Sequence, residues 1–138
     1  MVKELIHDPI LLSKKSVEAT KEDLDVVNDL LDTLIANRKT CVGMAANMIG
    51  VYKRIIVFVN EDGTYMAMVN PVILKQEFPF DTEEGCLSYL GGPTKCKRYK
   101  KIKVQYLTKD FLIRIKTFTG FTAQIIQHEI DHCNGILI

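Results

Sequence analysis

Residues 127–132 read QHEIDH and hold two of the three histidines in this 138-residue chain. His128 and His132 stand four apart, so on a helix they share one face and can both reach a single cation. Glu129 lies about 100° round such a helix from His128. From there it can stand beside a metal-bound water without being a ligand, which is the place of a general base. Two imidazoles do not hold a catalytic metal by themselves, and only CNGILI follows His132. The third ligand has to come from upstream.

His7 sits in an N-terminal stretch that reads as extended, with no supporting residues around it. Cys133 directly follows His132 and points off the ligand face. Cys41 and Cys96 stand beside apolar or basic neighbours and read as packing cysteines. Cys86 lies in EEGCLS, where Gly85 lets the backbone come close and leaves a thiolate exposed. Spacing favours Cys86, with the other cysteines open as alternatives. A Cys/His/His set keeps a fourth position free, the arrangement of a catalytic metal rather than a structural one.

The helix that must carry the histidines is TAQIIQHEIDHCNG. Thr119 or Thr122 is positioned to cap it, and Gly135 stands where it would end. Ile125, Ile126 and Ile130 interleave with the His-Glu-His set, which predicts a buried helix. An earlier helix opens on a Thr20-to-Asp23 capping pattern, and Leu24, Val27, Leu31, Leu34 and Ile35 carry its apolar stripe to an end near Asn37. CVGMAANMIG (41–50), with its small residues, suits a loop or tight strand. RIIVFVN (54–60) predicts a strand that EDG turns into a second, TYMAMVN. Asn70-Pro71 is expected to end that one, with VILKQE continuing as another. KIKVQYL and FLIRIKTF flank TKD as a further hairpin. The predicted class is α+β: short, mostly antiparallel sheets packed around a central C-terminal helix.

The bulk numbers fit one domain over residues 1–138, with 47% hydrophobic and 25% charged residues. A net charge of +1 gives no basic field for nucleic acid or an anionic membrane. The local run KCKRYKK (95–101) reads as a solvated loop or strand edge. No apolar run approaches the ~20 residues that span a bilayer, and the N-terminus lacks a signal-peptide pattern. A cytoplasmic location is expected, in which disulfides between the cysteines are disfavoured.

Three segments, CVGMAANMIG, EGCLS and QHEIDH, resemble in order and separation the signature motifs of peptide deformylases. The resemblance covers nearly the whole chain, including Asn70-Pro71 and Arg98. It implies removal of the N-formyl group from the initiator methionine of newly made proteins. It also implies one divalent metal, Fe(II) in the cell or else zinc, nickel or cobalt, held by Cys86, His128 and His132. Glu129 would then take a proton from metal-bound water and pass one to the leaving amine. The backbone N–H of Leu87 would help hold the oxyanion, and backbone at Gly43 and Met44 would pair with an extended formyl-methionyl peptide or nascent chain. Glu84 and Arg98 would form a structural ion pair beneath the cysteine loop. Ile125, one turn before Glu129, is a candidate wall for the methionine side chain.

The sequence departs from that family at Met48, where the first motif normally carries a glutamine whose amide donates to the oxyanion. A thioether has no donor. Losing one such donor costs about 10²–10³ in rate. Asn47 next to it has an amide, but in an extended segment it would face the other way unless the loop is bulged. Cys133 replaces a usual leucine. The sequence also ends just after the third motif, without the extension that in many bacterial members docks near the ribosome, so a ribosome-proximal place is an open expectation. Two alternatives accompany the deformylase reading: hydrolysis of a different small amide, and a homologue that binds metal or formyl-peptides without turning them over.

Overall fold

The computed structural model describes residues 1–91 and 93–138. A short helix α1, Pro9–Leu12, is capped by Asp8, whose carboxylate accepts the Ile10 N–H at 2.9 Å. Thr20 and Asp23 form the expected capping box, but around a 3-10 turn at Lys21–Asp23 that feeds α2, Leu24–Ala36. The buried face of α2 is Val27, Leu30, Thr33 and Leu34, whereas Leu24 and Ile35 are exposed. Thr33 escapes an apolar-only reading because both its hydrogen-bonding needs are met: its hydroxyl donates to the Asp29 carbonyl at 2.7 Å and accepts the Lys3 N–H at 2.9 Å.

Strands β1 (Gly43–Ala45), β2 (Ile55–Val59), β3 (Tyr65–Glu84), β4 (Thr94–Leu107) and β5 (Ile113–Thr119) form one five-stranded sheet in chain order, every neighbouring pair antiparallel. One sheet with two long strands thus replaces the several short ones expected. Asn70-Pro71 does not end a strand. Asn70 adopts a left-handed φ of 50°, the register slips between Val69 and Val72, and β3 carries on through VILKQE. The bulge is stabilised by the Asn70 amide, which accepts the Ala19 N–H at 2.8 Å and donates to the Ala19 carbonyl at 3.1 Å. The basic run lies on β4 with Lys95, Lys97, Lys100 and Lys101 exposed; β5 pairs only from Lys101 onward, so most of the run has β3 on one side and a free strand edge on the other among the described residues.

Helix α3, Gly120–Cys133, has Thr119 at its N-cap position without a side-chain hydrogen bond. Its far end is a Schellman turn: Gly135 N–H bonds to the His132 carbonyl and Ile136 N–H to the Asp131 carbonyl, both at 3.0 Å. Gly135 has φ 76°, and a Cβ there would come 2.4 Å from the Ser13 carbonyl oxygen, so both conformation and space require glycine.

Side chains of β2 alternate between two cores, which explains its unbroken apolar run. Ile56 and Phe58 face α3 with Ile126, Ile130, Ile102 and Val104. Ile55 and Val57 face α2 with Val27, Leu30, Leu34, Met44 and Met48. Among the described residues no helix is long and apolar enough to cross a membrane. The result for the site is that α3 is held beneath the sheet, with its His-Glu-His turn next to β1 and the loop after β3.

Candidate metal centre

On α3, His128 and His132 present Nε2 atoms 3.0 Å apart. The Cys86 sulfur joins them from the loop that follows β3, and the three ligand atoms lie within 4.8 Å of one another. His128 Nδ1–H donates to Glu84 Oε1 at 2.7 Å, which fixes the tautomer and leaves the Nε2 lone pair facing the group. Two ring nitrogens at this separation with a thiol beside them suit one shared proton or one soft-to-borderline cation. The donor set therefore fits a catalytic metal, and no fourth protein ligand closes it among the described residues.

The other candidate ligands are outside the three-atom group. His7 Nδ1–H donates to the Ser88 carbonyl at 2.8 Å. Cys133 is buried in the core under α3. Cys96 is half-buried on β4. Cys41 does not simply pack: it lines the cleft, with its thiol donating to the Gly43 carbonyl at 3.0 Å. Burial, reinforced by the charge on Glu129, pushes that thiol up to about 12, so it stays protonated.

Glu84 organises the surroundings. It accepts two hydrogen bonds from Arg98 Nε at 3.1 Å and one from Arg98 Nη2 at 2.7 Å, while Gln124 Nε2 donates to its second oxygen at 2.9 Å. Arg98 also reaches Asp131 at 2.7 Å, tying the cysteine loop to α3. Burial alone would raise the Glu84 pKa, but hydrogen bonds from His128, Arg98 and Gln124 hold it down at about 2. Burial likewise opposes a proton on either imidazole. On His128 the Cys86 and Glu84 partners outweigh it, whereas burial and the neighbouring His128 charge both drive His132 downward. The directions belong to the pair rather than to either ring alone.

Glu129 is buried at the floor of the cleft, and its Oε1 has no protein partner. An orphan carboxylate oxygen here is aimed at whatever occupies the centre. Burial pushes its pKa up to about 7, with His128 pulling the other way. The cleft itself encloses about 270 Å³ between Cys41, Val42 and Gly43 on one side, Cys86 and Leu87 on another, and Phe121, Gln124 and Ile125 of α3.

Strand β1 is at the sheet edge. Val59 N–H bonds to the Val42 carbonyl, so in the alternation of an antiparallel ladder Met44 faces β2 and the polar groups of Gly43 and Ala45 point away from it, the Gly43 carbonyl toward the Cys41 thiol and the Ala45 N–H toward the Met48 sulfur. An extended peptide can add there as a further strand. Met44, expected to pair with a peptide through its backbone, turns its backbone polar groups toward β2, and its side chain is fully buried against α2.

Met48 lies in a 3-10 turn, Ala46–Ile49, 1% exposed in the same core, with its sulfur accepting the Ala45 N–H at 3.4 Å. The Asn47 amide does not take over as a donor to the cleft. Its Nδ2 is spent on the carbonyls of Leu12 at 3.2 Å and His132 at 3.1 Å. Sequence reasoning missed Gln124 in the cleft wall, although its place four residues before His128 puts it on the ligand face. Asp131 was also missed; it stands inside the histidine motif, but its partner Arg98 is distant in sequence.

A single antiparallel sheet folded over a His-Glu-x-x-His helix, with a cysteine delivered from a strand-end loop, defines a hydrolase with one candidate metal centre. The family model for polypeptide deformylase matches residues 4–138. The chain belongs to that family. It is 54% identical to the peptide deformylase of Clostridium beijerinckii over the full length of both chains (138 residues). Among solved structures, the peptide deformylase of Ehrlichia chaffeensis superposes with a TM-score of 0.88 at 32% identity, covering 99% of this chain and 86% of that one. The Met-Ala-Ser-bound class I type b peptide deformylase of Acinetobacter baumannii gives 0.86 at 28% identity, covering 99% and 96%.

Proposed function

We propose that the chain, acting as one domain, removes the formyl group from formyl-methionyl N-termini of newly made proteins in the cytoplasm, with Fe(II) as its cellular metal. The observation that carries the reading is the convergence of Cys86, His128 and His132 beside the unpartnered carboxylate of Glu129. The family membership supports it, as does the Met-Ala-Ser complex of the Acinetobacter relative, a peptide of the kind deformylation would release.

When bound by these three residues, a divalent cation supplies Lewis acidity and lowers the pKa of a water toward neutrality. The chain's own groups do the rest. The open edge of β1 holds the peptide extended, and Ile125 and Leu87 flank the methionine side chain. Glu129 accepts a proton from the attacking water and returns one to the departing amine; a pKa near neutrality suits both transfers. The Leu87 N–H donates to the developing oxyanion. Glu84 keeps the His128 ring in orientation.

A second reading, tight binding of formyl-peptides without turnover, is favoured by one observation: Met48 offers no donor, and the Asn47 amide is already engaged. Formate release from a formyl-Met tripeptide separates the two, using protein loaded with Ni(II), or with Fe(II) without oxygen. Turnover that disappears on chelation is expected. Fully loaded protein that binds the peptide but releases no formate overturns the deformylase reading in favour of the second.

A further inference from the structure

We propose that His7 is a positioning residue for the candidate metal centre, the clasp of an N-terminal strap that fastens all three motif segments together. The inference rests on the metal-binding part of the reading above, not on deformylation itself.

The loop that carries Cys86 begins where the β3–β4 ladder stops, at the pair Glu84–Thr94. Past that pair no strand neighbour fixes the backbone, so Cys86 depends on bonds from outside the sheet. Ser88 receives them. It is fully buried, its N–H donates to the Cys86 sulfur at 3.4 Å, and its carbonyl accepts His7 Nδ1–H at 2.8 Å. His7 therefore anchors the residue whose amide lies against the ligand sulfur, 81 positions away in sequence.

The same strap reaches the other two motifs. Ile6 N–H donates to the Met48 carbonyl at 2.8 Å, next to the turn that follows β1. The Leu12 carbonyl accepts from Asn47 Nδ2, whose other bond goes to the His132 carbonyl. Residues 6–12 thus contact the turn after β1, the cysteine loop and, through Asn47, the end of the histidine helix. Groups behind metal ligands set ligand orientation and metal retention. An N–H aimed at a thiolate also withdraws electron density from it, which a metal–sulfur charge-transfer band reports.

The test compares wild type, His7→Ala and His7→Asn, each loaded with Co(II). His7 is exposed, so its replacement leaves the core untouched. Asparagine places an amide N–H at nearly the reach of Nδ1. Three quantities are read: the cobalt–thiolate absorption band, the rate of Co(II) release to a chelator, and the melting temperature. We expect His7→Ala to shift the band and release metal about tenfold faster, the low end of the effect of groups behind a ligand. His7→Asn is expected to restore both. A His7→Ala protein with the wild-type band and release rate overturns the proposal, and so does a His7→Asn protein that behaves like His7→Ala. Both readouts are independent of formate release, so failure here and failure of the deformylase reading are distinguishable.

Discussion

Gly43 and Glu129 are packed so closely that a methyl group on the former would lie 3.0 Å from Oε2 of the latter and 2.7 Å from Cγ2 of Ile125. The absence of a side chain on β1 is what lets the helix carboxylate rise to the cleft floor. Gly43→Ala must displace one of the two. Turnover is expected to fall about 10²-fold, the scale of an ångström-sized misplacement. Stability should drop by only about 1–3 kcal/mol, as for overpacking. Steady-state formate release beside a thermal melt checks this; an Ala variant as fast as the parent would show that the position of Glu129 does not limit the rate.

Glu129→Gln keeps the shape of the side chain and removes its proton chemistry. Formate release is expected to fall by about 10²–10⁴, with bound metal per chain unchanged because Glu129 lies outside the ligand set. Metal analysis on the same samples separates loss of the base from loss of the cation.

Met48 and Asn47 divide two tasks that the sequence leaves side by side. In Met48→Gln, the new carbonyl oxygen can accept the Ala45 N–H now taken by sulfur, which frees an amide N–H for the cleft. A rise in turnover of up to about 10²-fold is expected. Asn47→Ala instead breaks the bonds to Leu12 and His132, lowering stability by about 1–3 kcal/mol with no gain in rate. Rates that move the same way in both variants would contradict this division.

Glu84 sets an acid limit. Its pKa is held at about 2 in the fold against an ordinary 4.5, so the folded state favours the carboxylate. The resulting stabilisation, up to about 3 kcal/mol, is complete above the ordinary value and is lost as pH falls toward the depressed one. In metal-free protein, the gap in melting temperature between wild type and Glu84→Gln should be widest above pH 4.5 and close near pH 2. A gap independent of pH would assign the effect to packing.

Much of this was legible in the sequence because it is local. Helical spacing places His128, Glu129 and His132 whatever the rest of the chain does, and the Thr20–Asp23 capping box involves four consecutive residues. What escaped depends on partners far along the chain. Asn70-Pro71 reads as a strand end until Ala19, 51 positions upstream, supplies the bonds that turn it into a bulge. Thr33 stands outside the apolar stripe by residue type, and only the fold brings the Lys3 backbone to its buried hydroxyl. For Asn47 the sequence turns the amide away from the oxyanion side unless the loop bulges, but it does not give the partners, because neither the Leu12 nor the His132 carbonyl can be placed beside it from sequence alone.

The burial of Met48 also bears on inhibitor selectivity. A small molecule that gains affinity by accepting a hydrogen bond from a side-chain amide at this corner of a deformylase cleft would find a thioether set in apolar core. A compound that instead reaches the Cys41 thiol in the cleft wall, and asks nothing of residue 48, would draw on a feature of this chain's own pocket.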